Sequence, residues 1–169
     1  SFEKIIGIKF NNQNLLLQSL THKSNNPLNN NEKLEFLGDR VLGLVISKNL
    51  YKLFPKDKEG DLDKKLASLV NKKRCVEISN YLSLKDYVLV GDNKDNSKIE
   101  NKILADTVES IVGALYLDQG LEVTEKFILN YWKRFLNEKL TIYRDPKTML
   151  QEYSLKLHKT LPIYKVIEN

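Results

Sequence analysis

Cysteine is nearly absent from this 169-residue chain, which contains Cys75 and no other. A single cysteine excludes an internal disulfide and any Cys-x-x-Cys metal or redox motif. We interpret Cys75 as a partly buried structural thiol, and the alternative is a reactive or regulatory thiol. The scarcity of cysteine fits a reducing compartment, so we expect a cytoplasmic location.

Histidine and long apolar runs are also scarce. His22 and His158 are the two histidines, and neither belongs to a His-Asp or Glu-x-x-His motif, which argues against most histidine-based metal chemistry. His22 is interpreted as a capping or packing residue, with a direct catalytic role or contact with a ligand as the alternatives. No run of about 18 apolar residues is present, so we expect no membrane span. No charged-then-apolar leader is present either, which predicts no secretory signal.

Carboxylates are concentrated in the segment Asn31–Leu42, which reads NEKLEFLGDRVL. Glu32, Glu35 and Asp39 stand at i, i+3 and i+7, and on a helix they fall within roughly a sixth of the circumference. Partly buried like charges are costly unless a cation joins them, and Mg²⁺ prefers oxygen ligands. The spacing therefore indicates a candidate metal site.

A second acidic pair lies further along the chain. Asp106 and Glu109 are spaced i, i+3 in a mostly apolar helical segment, and Gly113 shares their face, where it lets a helix or ligand approach closely. Two helices that each present carboxylates can build a two-metal centre for phosphodiester chemistry, with ions roughly 4 Å apart. Acid pairs at this spacing also occur on ordinary solvated faces, so spacing alone leaves both interpretations open.

Four ordered segments carry a resemblance to a known family. NEKLEFLGDRVL is similar to the signature of the ribonuclease III family, and ILADTVESIVGALYLDQG (residues 103–120) resembles its second motif. LTHKS (residues 20–24) and EGDL (residues 59–62) match two further segments. The resemblance extends from about Phe2 to the end of the chain. It implies an all-α endonuclease domain over residues 1–143, followed over residues 144–169 by a truncated fragment of an α+β double-stranded-RNA-binding domain.

The resemblance implies roles for single residues. Four carboxylates would bind the metal, Mg²⁺ with Mn²⁺ as a substitute: Glu35, Asp39, Asp106 and Glu109. Asp39 and Glu109 would be the catalytic pair among them. Glu32 and Glu59 match auxiliary acids at the edge of the catalytic valley. Phe36 matches the aromatic side chain that plugs a socket on the other subunit of a homodimer, although an ordinary core phenylalanine fits the sequence equally well.

Two features depart from the family pattern. Arg40 replaces the usual small residue after the signature Asp, and its position on the helix points away from the acids. The polar stretch Gly91–Glu100 replaces a Gly-rich turn.

The charge balance supports an acidic site in a basic surround. The chain has 27 Lys and Arg against 22 Asp and Glu, and without the six acids named above the rest carries +11. Such a distribution suits a nuclease, because the acids bind cations while Lys and Arg bind phosphates. Scattered lysines are also ordinary solubilising residues.

The remaining pattern predicts helices separated by polar turns. The signature helix, capped by Asn30 or Asn31, ends near Phe54 before Pro55. Leu82–Val90 is interpreted as an extended loop or a short helix. The other predicted helices are Phe2–Ile8, Leu15–Thr21, Asp61–Asn80, Lys98–Leu117 and Leu121–Leu140.

Asp145-Pro146 marks a domain boundary. Residues 145–153 (DPKTMLQEY) resemble the opening of a double-stranded-RNA-binding domain, with a helix over Lys147–His158 and a strand beginning in Leu161–Ile167. By that resemblance Thr148, Gln151 and Glu152 would face the RNA minor groove. Because the rest of such a domain does not follow, we expect this tail to be disordered, docked on the nuclease domain or left by truncation.

These observations lead to two hypotheses. The first is a Mg²⁺-dependent endonuclease that acts as a homodimer on both strands of double-stranded RNA. By resemblance it leaves 5′-phosphates and short 3′ overhangs, in RNA processing such as rRNA maturation. The second is an inert family relative that binds structured RNA or ribosomes. The presence of all four acids favours the enzyme.

Overall fold

Helices supply the regular structure of this chain. The computed structural model describes residues 1–91, 99–137 and 146–162. The helices are α1 (Phe2–Ile6), α2 (Gln13–Leu20), α3 (Glu32–Leu53), α4 (Glu59–Leu69), α5 (Lys72–Tyr81), α6 (Asn101–Asn137) and α7 (Pro146–His158). A 3₁₀ turn, Leu84–Asp86, follows α5. Across these described ranges, β pairing is limited to an isolated parallel bridge between Thr21 and Leu89. The all-α prediction is confirmed.

The long helix α6 is the centre of the fold. Every residue from Leu104 to Leu115 is buried, and α2, α3, α4 and α5 all pack against this helix. Burial on all sides of this segment agrees with its mostly apolar sequence, in which Asp106 and Glu109 are the two acids. Its second half is fixed to α4 by Trp132, which is fully buried and whose Nε1 donates to the carbonyl oxygen of Leu69 at 2.9 Å.

The two predicted helices on either side of Gly120 are joined into α6 with a kink. Gly120 has φ 77° and ψ −175°, which a residue with a side chain rarely adopts. The helix therefore changes direction there. The buried acid motif lies before the kink and Trp132 lies after it.

The signature helix α3 agrees closely with the prediction. Its apolar residues Val41, Leu42, Val45, Ile46 and Leu50 are buried against the core. The helix ends at Leu53, two residues before Pro55. At its start the side chain of Asn30 accepts a hydrogen bond from the backbone N–H of Glu32 at 3.1 Å, while Asn31 makes no side-chain cap.

One predicted helix needs correction, and one further segment combines two predicted alternatives. The single helix predicted over Asp61–Asn80 is split into α4 and α5. Asn71 is the N-cap of α5, because its side chain accepts from the backbone N–H of Arg74 at 3.1 Å. The segment Leu82–Val90 contains both predicted alternatives: a 3₁₀ turn is followed by an extended residue, Leu89, whose N–H donates to the carbonyl of Leu20 at 2.8 Å.

The tail contains the predicted helix. α7 covers Pro146–His158, close to the expected Lys147–His158. Most of the predicted strand Leu161–Ile167 and of the polar stretch Gly91–Glu100 lies outside the described residues, as do the side chains of Thr148 and Glu152. Within the described ranges, no helix has both the length and the apolar character that crossing a membrane requires.

Candidate metal centre

Three carboxylates from two helices converge beside the core. Glu35 on α3 and Asp106 and Glu109 on α6 each place a carboxylate oxygen within 4.8 Å of the others. Asp106 and Glu109 are buried, with 8% of each residue exposed, and Glu35 is half-buried. The i, i+3 spacing of Asp106 and Glu109 within α6 and the position of Glu35 on α3 therefore bring together three of the four predicted metal ligands.

The close approach of α3 to α6 explains this convergence. A Cβ atom on Gly38 would lie 1.7 Å from the backbone oxygen of Glu109, and one on Gly113 would lie 2.1 Å from the backbone oxygen of Leu34. Only glycine fits at both positions, so the two backbones touch at the level of the acids. The expected close approach at Gly113 is made by a neighbouring helix. Gly38, its counterpart on α3, was not singled out in the sequence.

Mutual repulsion is visible in the acid–base properties of the cluster. Burial, and then the charges of Asp39, Glu35 and Asp106, raise the pKa of Glu109 to about 7. Burial and then Asp106 also raise the pKa of Glu35. Glu109 and Glu35 are thus harder to ionise than isolated carboxylates, because they lie in a partly desolvated site in which negative charges are crowded.

Lys72 supplies positive charge to the cluster. Its Nζ lies 3.4 Å from Oδ1 of Asp106, and its side chain remains 61% exposed. Lys72 opposes the upward pKa shifts of both Glu109 and Glu35. One long contact from an exposed lysine offsets three crowded carboxylates only in part. The sequence interpretation did not single out this residue, which follows the capping Asn71 directly.

The donor set fits a hard divalent cation. Oxygens bound to one Mg²⁺ lie at most about 4.2 Å apart, twice the usual metal–oxygen distance, so small side-chain rotations would close the 4.8 Å group around an ion. Mg²⁺ and Mn²⁺ also prefer carboxylate oxygens to the sulfur ligands that softer metals select. The three residues that could hold such an ion are Glu35, Asp106 and Glu109.

Asp39, the fourth predicted ligand, lies beside the cluster, but its carboxylate is paired with Arg40. Its Oδ2 accepts a hydrogen bond from the guanidinium of Arg40, whose Cζ lies 5.2 Å from the centre of the Phe36 ring. The prediction that Arg40 points away from the acids was wrong, because its long side chain reaches back to the preceding residue. The charge of Asp39 still raises the pKa of Glu109, which places it close to the cluster.

Two acids of the cluster, Glu35 and Glu109, line a cleft of about 700 Å³. Its lining residues come from α3, the α4–α5 turn, α5 and α6: Glu32, Glu35, Phe36, Asp39, Arg40, Val70, Asn71, Lys72 and Glu109. Phe36 is 66% exposed, so the alternative of an ordinary core phenylalanine is wrong. The acids of this open cleft can bind cations, and the basic residues at its border can bind phosphates. The cleft therefore suits a polyanionic chain better than a small apolar ligand.

The other predicted site residues lie further from the cluster. Glu32 is at the edge of the cleft, where its Oε1 accepts from Nζ of Lys23 at 2.8 Å, and this hydrogen bond lowers its pKa. Glu59 is exposed at the start of α4 and does not line the cleft. Nδ1 of His22 lies 2.8 Å from Oγ of Ser24, also outside the lining of the cleft.

Cys75 contacts Glu109 of the cluster and does not line the cleft. It is fully buried, and its Sγ lies 3.8 Å from Oε1 of Glu109. Burial, followed by the charge of Glu109, raises the pKa of the thiol. The predicted buried thiol is therefore more deeply buried than expected. No pattern in the sequence signals its contact with Glu109, since the two residues lie on different helices.

Comparison with known proteins identifies the class. The family described as Ribonuclease-III-like matches residues 12–135. Ribonuclease 3 of Pelagibacter ubique is 55% identical over 168 residues, covering 99% of this chain and 76% of the relative. Ribonuclease 3 of Leptospira interrogans is 44% identical over 171 residues, covering 96% of this chain and 69% of the relative.

Solved structures give the same result. The nuclease domain of ribonuclease III from Campylobacter jejuni, described as flexible in a region involved in dimer formation, superposes with a TM-score of 0.75 at 41% identity. The match covers 79% of this chain and 94% of that domain. Dicer from Pichia stipitis, at 23% identity and a TM-score of 0.62, shares the fold.

The helical fold, with carboxylates from α3 and α6 at an open cleft, defines a nuclease domain. The chain belongs to the ribonuclease III family and is an endoribonuclease.

Proposed function

We propose that the chain is a Mg²⁺-dependent endonuclease that hydrolyses both strands of double-stranded RNA, with Mn²⁺ as a substitute ion. The observation that carries this proposal is the cluster of Glu35, Asp106 and Glu109 within 4.8 Å at an open cleft. Three crowded carboxylates call for a cation, and two of them, Glu35 and Glu109, have raised pKa values. Phosphodiester hydrolysis is the chemistry that such centres perform on polyanionic substrates.

The chain's own residues have separable tasks in this proposal. Glu35, Asp106 and Glu109 would hold the ion, and Asp39 would join them when it is not paired with Arg40. A divalent ion bound there supplies activation of water and stabilisation of charge on the departing 3′ oxygen. Arg40 and Lys72 border the cleft, where their positive charges can meet the phosphates that flank the cut bond.

A homodimer fits the exposed face of α3. Phe36, Leu44 and Tyr51 are 66%, 57% and 75% exposed, and they fall within about 80° of one helix face. An exposed apolar stripe of this kind is typical of protein interfaces. The Campylobacter jejuni nuclease domain is described as having a region involved in dimer formation, which supports a dimer for this chain as well. In a dimer, each of the two clefts would cut one strand of the duplex.

The remaining elements of the proposal rest on resemblance. Glu32 and Glu59 would act as auxiliary acids, and His22, Thr148, Gln151 and Glu152 would contact RNA. Three further elements also remain predictions: the boundary between a nuclease domain (1–143) and a partial RNA-binding domain (144–169), the 5′-phosphates with short 3′ overhangs, and the role in rRNA maturation. The cytoplasmic location, which we expect from the scarcity of cysteine, remains a prediction as well.

Cleavage of a labelled duplex tests the proposal. The chain should cut both strands of a long RNA duplex in Mg²⁺ and in Mn²⁺, leave a single-stranded RNA of the same sequence intact and lose activity in EDTA. End-labelling of the products reports the 5′-phosphates and the overhangs. Tight duplex binding without cleavage in either metal would favour the alternative, an inert relative that binds structured RNA.

A further inference from the structure

The fully buried thiol of Cys75 has a polar contact with the candidate metal centre. Cys75 lies on α5, which packs against α6, and its Sγ is 3.8 Å from Oε1 of Glu109. A thiol donates a weak hydrogen bond through its S–H, and a carboxylate accepts. The contact therefore links a residue outside the cleft to a carboxylate that lines it.

We infer that Cys75 is a positioning residue, whose S–H fixes the carboxylate of Glu109 in the orientation that faces Glu35 and Asp106. This inference rests on the proposed metal-dependent function. It adds a residue that is neither an acid of the cluster nor exposed in the cleft.

The need for such a donor follows from the crowding of the site. Glu109 has a flexible side chain, and the carboxylates within 4.8 Å of it repel its charge. Repulsion favours side-chain conformations in which the carboxylate turns away from its neighbours. A donor on α5 counteracts this tendency, because it holds Oε1 of Glu109 and does not itself line the cleft. Hydrogen-bonding partners behind metal ligands commonly alter metal affinity by 10-fold to 100-fold.

A purely structural role for the thiol makes a different prediction. A buried cysteine often behaves as a small apolar side chain that only fills space between helices. In that case its removal would lower stability and leave metal affinity unchanged. Ser79 provides a matched control, because it is buried on the same helix and its hydroxyl bonds only the carbonyl of Val76, at 2.7 Å, among the described contacts.

Mn²⁺ binding to the RNA-free chain, measured by calorimetry, separates the two roles. The inference predicts that Cys75→Ala weakens Mn²⁺ binding by roughly 10-fold, at the lower end of the usual range because a thiol is a weak donor. Ser79→Ala should bind Mn²⁺ as the unaltered chain does. Equal affinities for Cys75→Ala and the unaltered chain would overturn the inference.

The infrared S–H stretching band gives a second readout. The chain has one cysteine, so this band reports Cys75 alone. We expect it to shift when Mn²⁺ binds, and to move towards the frequency of a free thiol in Glu109→Ala. A band that responds to neither change would overturn the inference, and this result needs no substitution at Cys75.

The two proposals fail in different ways. If Glu109→Ala binds Mn²⁺ as well as the unaltered chain does, the metal centre itself is wrong. If Glu109→Ala loses Mn²⁺ while Cys75→Ala retains full affinity, the metal centre stands and the positioning role of Cys75 is wrong.

Discussion

Replacing Gly38 with alanine tests whether the contact between α3 and α6 builds the site. The new Cβ would lie 1.7 Å from the backbone oxygen of Glu109 and 2.8 Å from the backbone nitrogen of Gly113, whereas ordinary contact begins near 3.4 Å. Both neighbours are helix backbone, which cannot rotate away as a side chain can. The helices must therefore separate by up to about 1.7 Å at this level.

That separation has two measurable consequences. Overpacking a rigid contact costs about 3 kcal/mol, of which the better helix propensity of alanine returns about 1 kcal/mol, so the free energy of unfolding should fall by about 2 kcal/mol. The oxygen atoms of the cluster, which now lie within 4.8 Å of one another, would move apart and away from the span of about 4.2 Å that one Mg²⁺ allows. Mn²⁺ affinity and RNA cleavage should both be lost.

Gly43→Ala is the matched control, because Gly43 lies on the same helix and a Cβ there meets no atom within 4 Å. It should keep metal binding and gain up to about 1 kcal/mol in stability. Urea denaturation and Mn²⁺ calorimetry on both variants give the comparison. A Gly38→Ala variant that matches Gly43→Ala in stability and in Mn²⁺ affinity would refute the argument that the helix contact places the acids.

Three further predictions concern single side chains. In the metal-free chain, the pKa of Glu109 is about 7 in the folded state against 4.5 in the reference state, so ionisation opposes folding. Stability in urea should therefore fall by up to about 3 kcal/mol as pH rises from 4.5 to 7, and this slope should diminish in Glu109→Gln. Arg40→Ala should release Asp39 and tighten Mn²⁺ binding by up to about fivefold, since an exposed ion pair contributes at most about 1 kcal/mol; weaker binding in calorimetry would contradict this. Phe36→Ala should weaken self-association by about 2 kcal/mol and leave the helix content unchanged. A dimer that sediments as before would show that Phe36 contributes little to the interface.

The positions of the acids could be predicted because helical periodicity is a local property. The i, i+3 spacing of Asp106 and Glu109 fixes their common face whatever surrounds the helix. Gly113 on the same face indicated a close neighbour, and the structure shows that neighbour to be α3. The pairing of one acid-bearing helix with another thus followed from a glycine and two spacings.

Interactions that depend on side-chain reach or on other helices could not be predicted in the same way. The position of Arg40 on α3 gives the direction of its Cβ, but its long side chain bends back to Asp39. The contact between Cys75 and Glu109 joins two residues that lie 34 positions apart and on different helices, and no local pattern encodes it. The break between α4 and α5 did carry a local signal, the capping residue Asn71, which amphipathic periodicity alone obscured.

The most direct test of the account is the anomalous scattering of Mn²⁺ in crystals of the chain. We predict a strong peak within coordination distance of the carboxylates of Glu35, Asp106 and Glu109, and its loss in Glu109→Ala. A peak that lies elsewhere, or one that persists in full in Glu109→Ala, would contradict the assignment of these carboxylates as the metal centre.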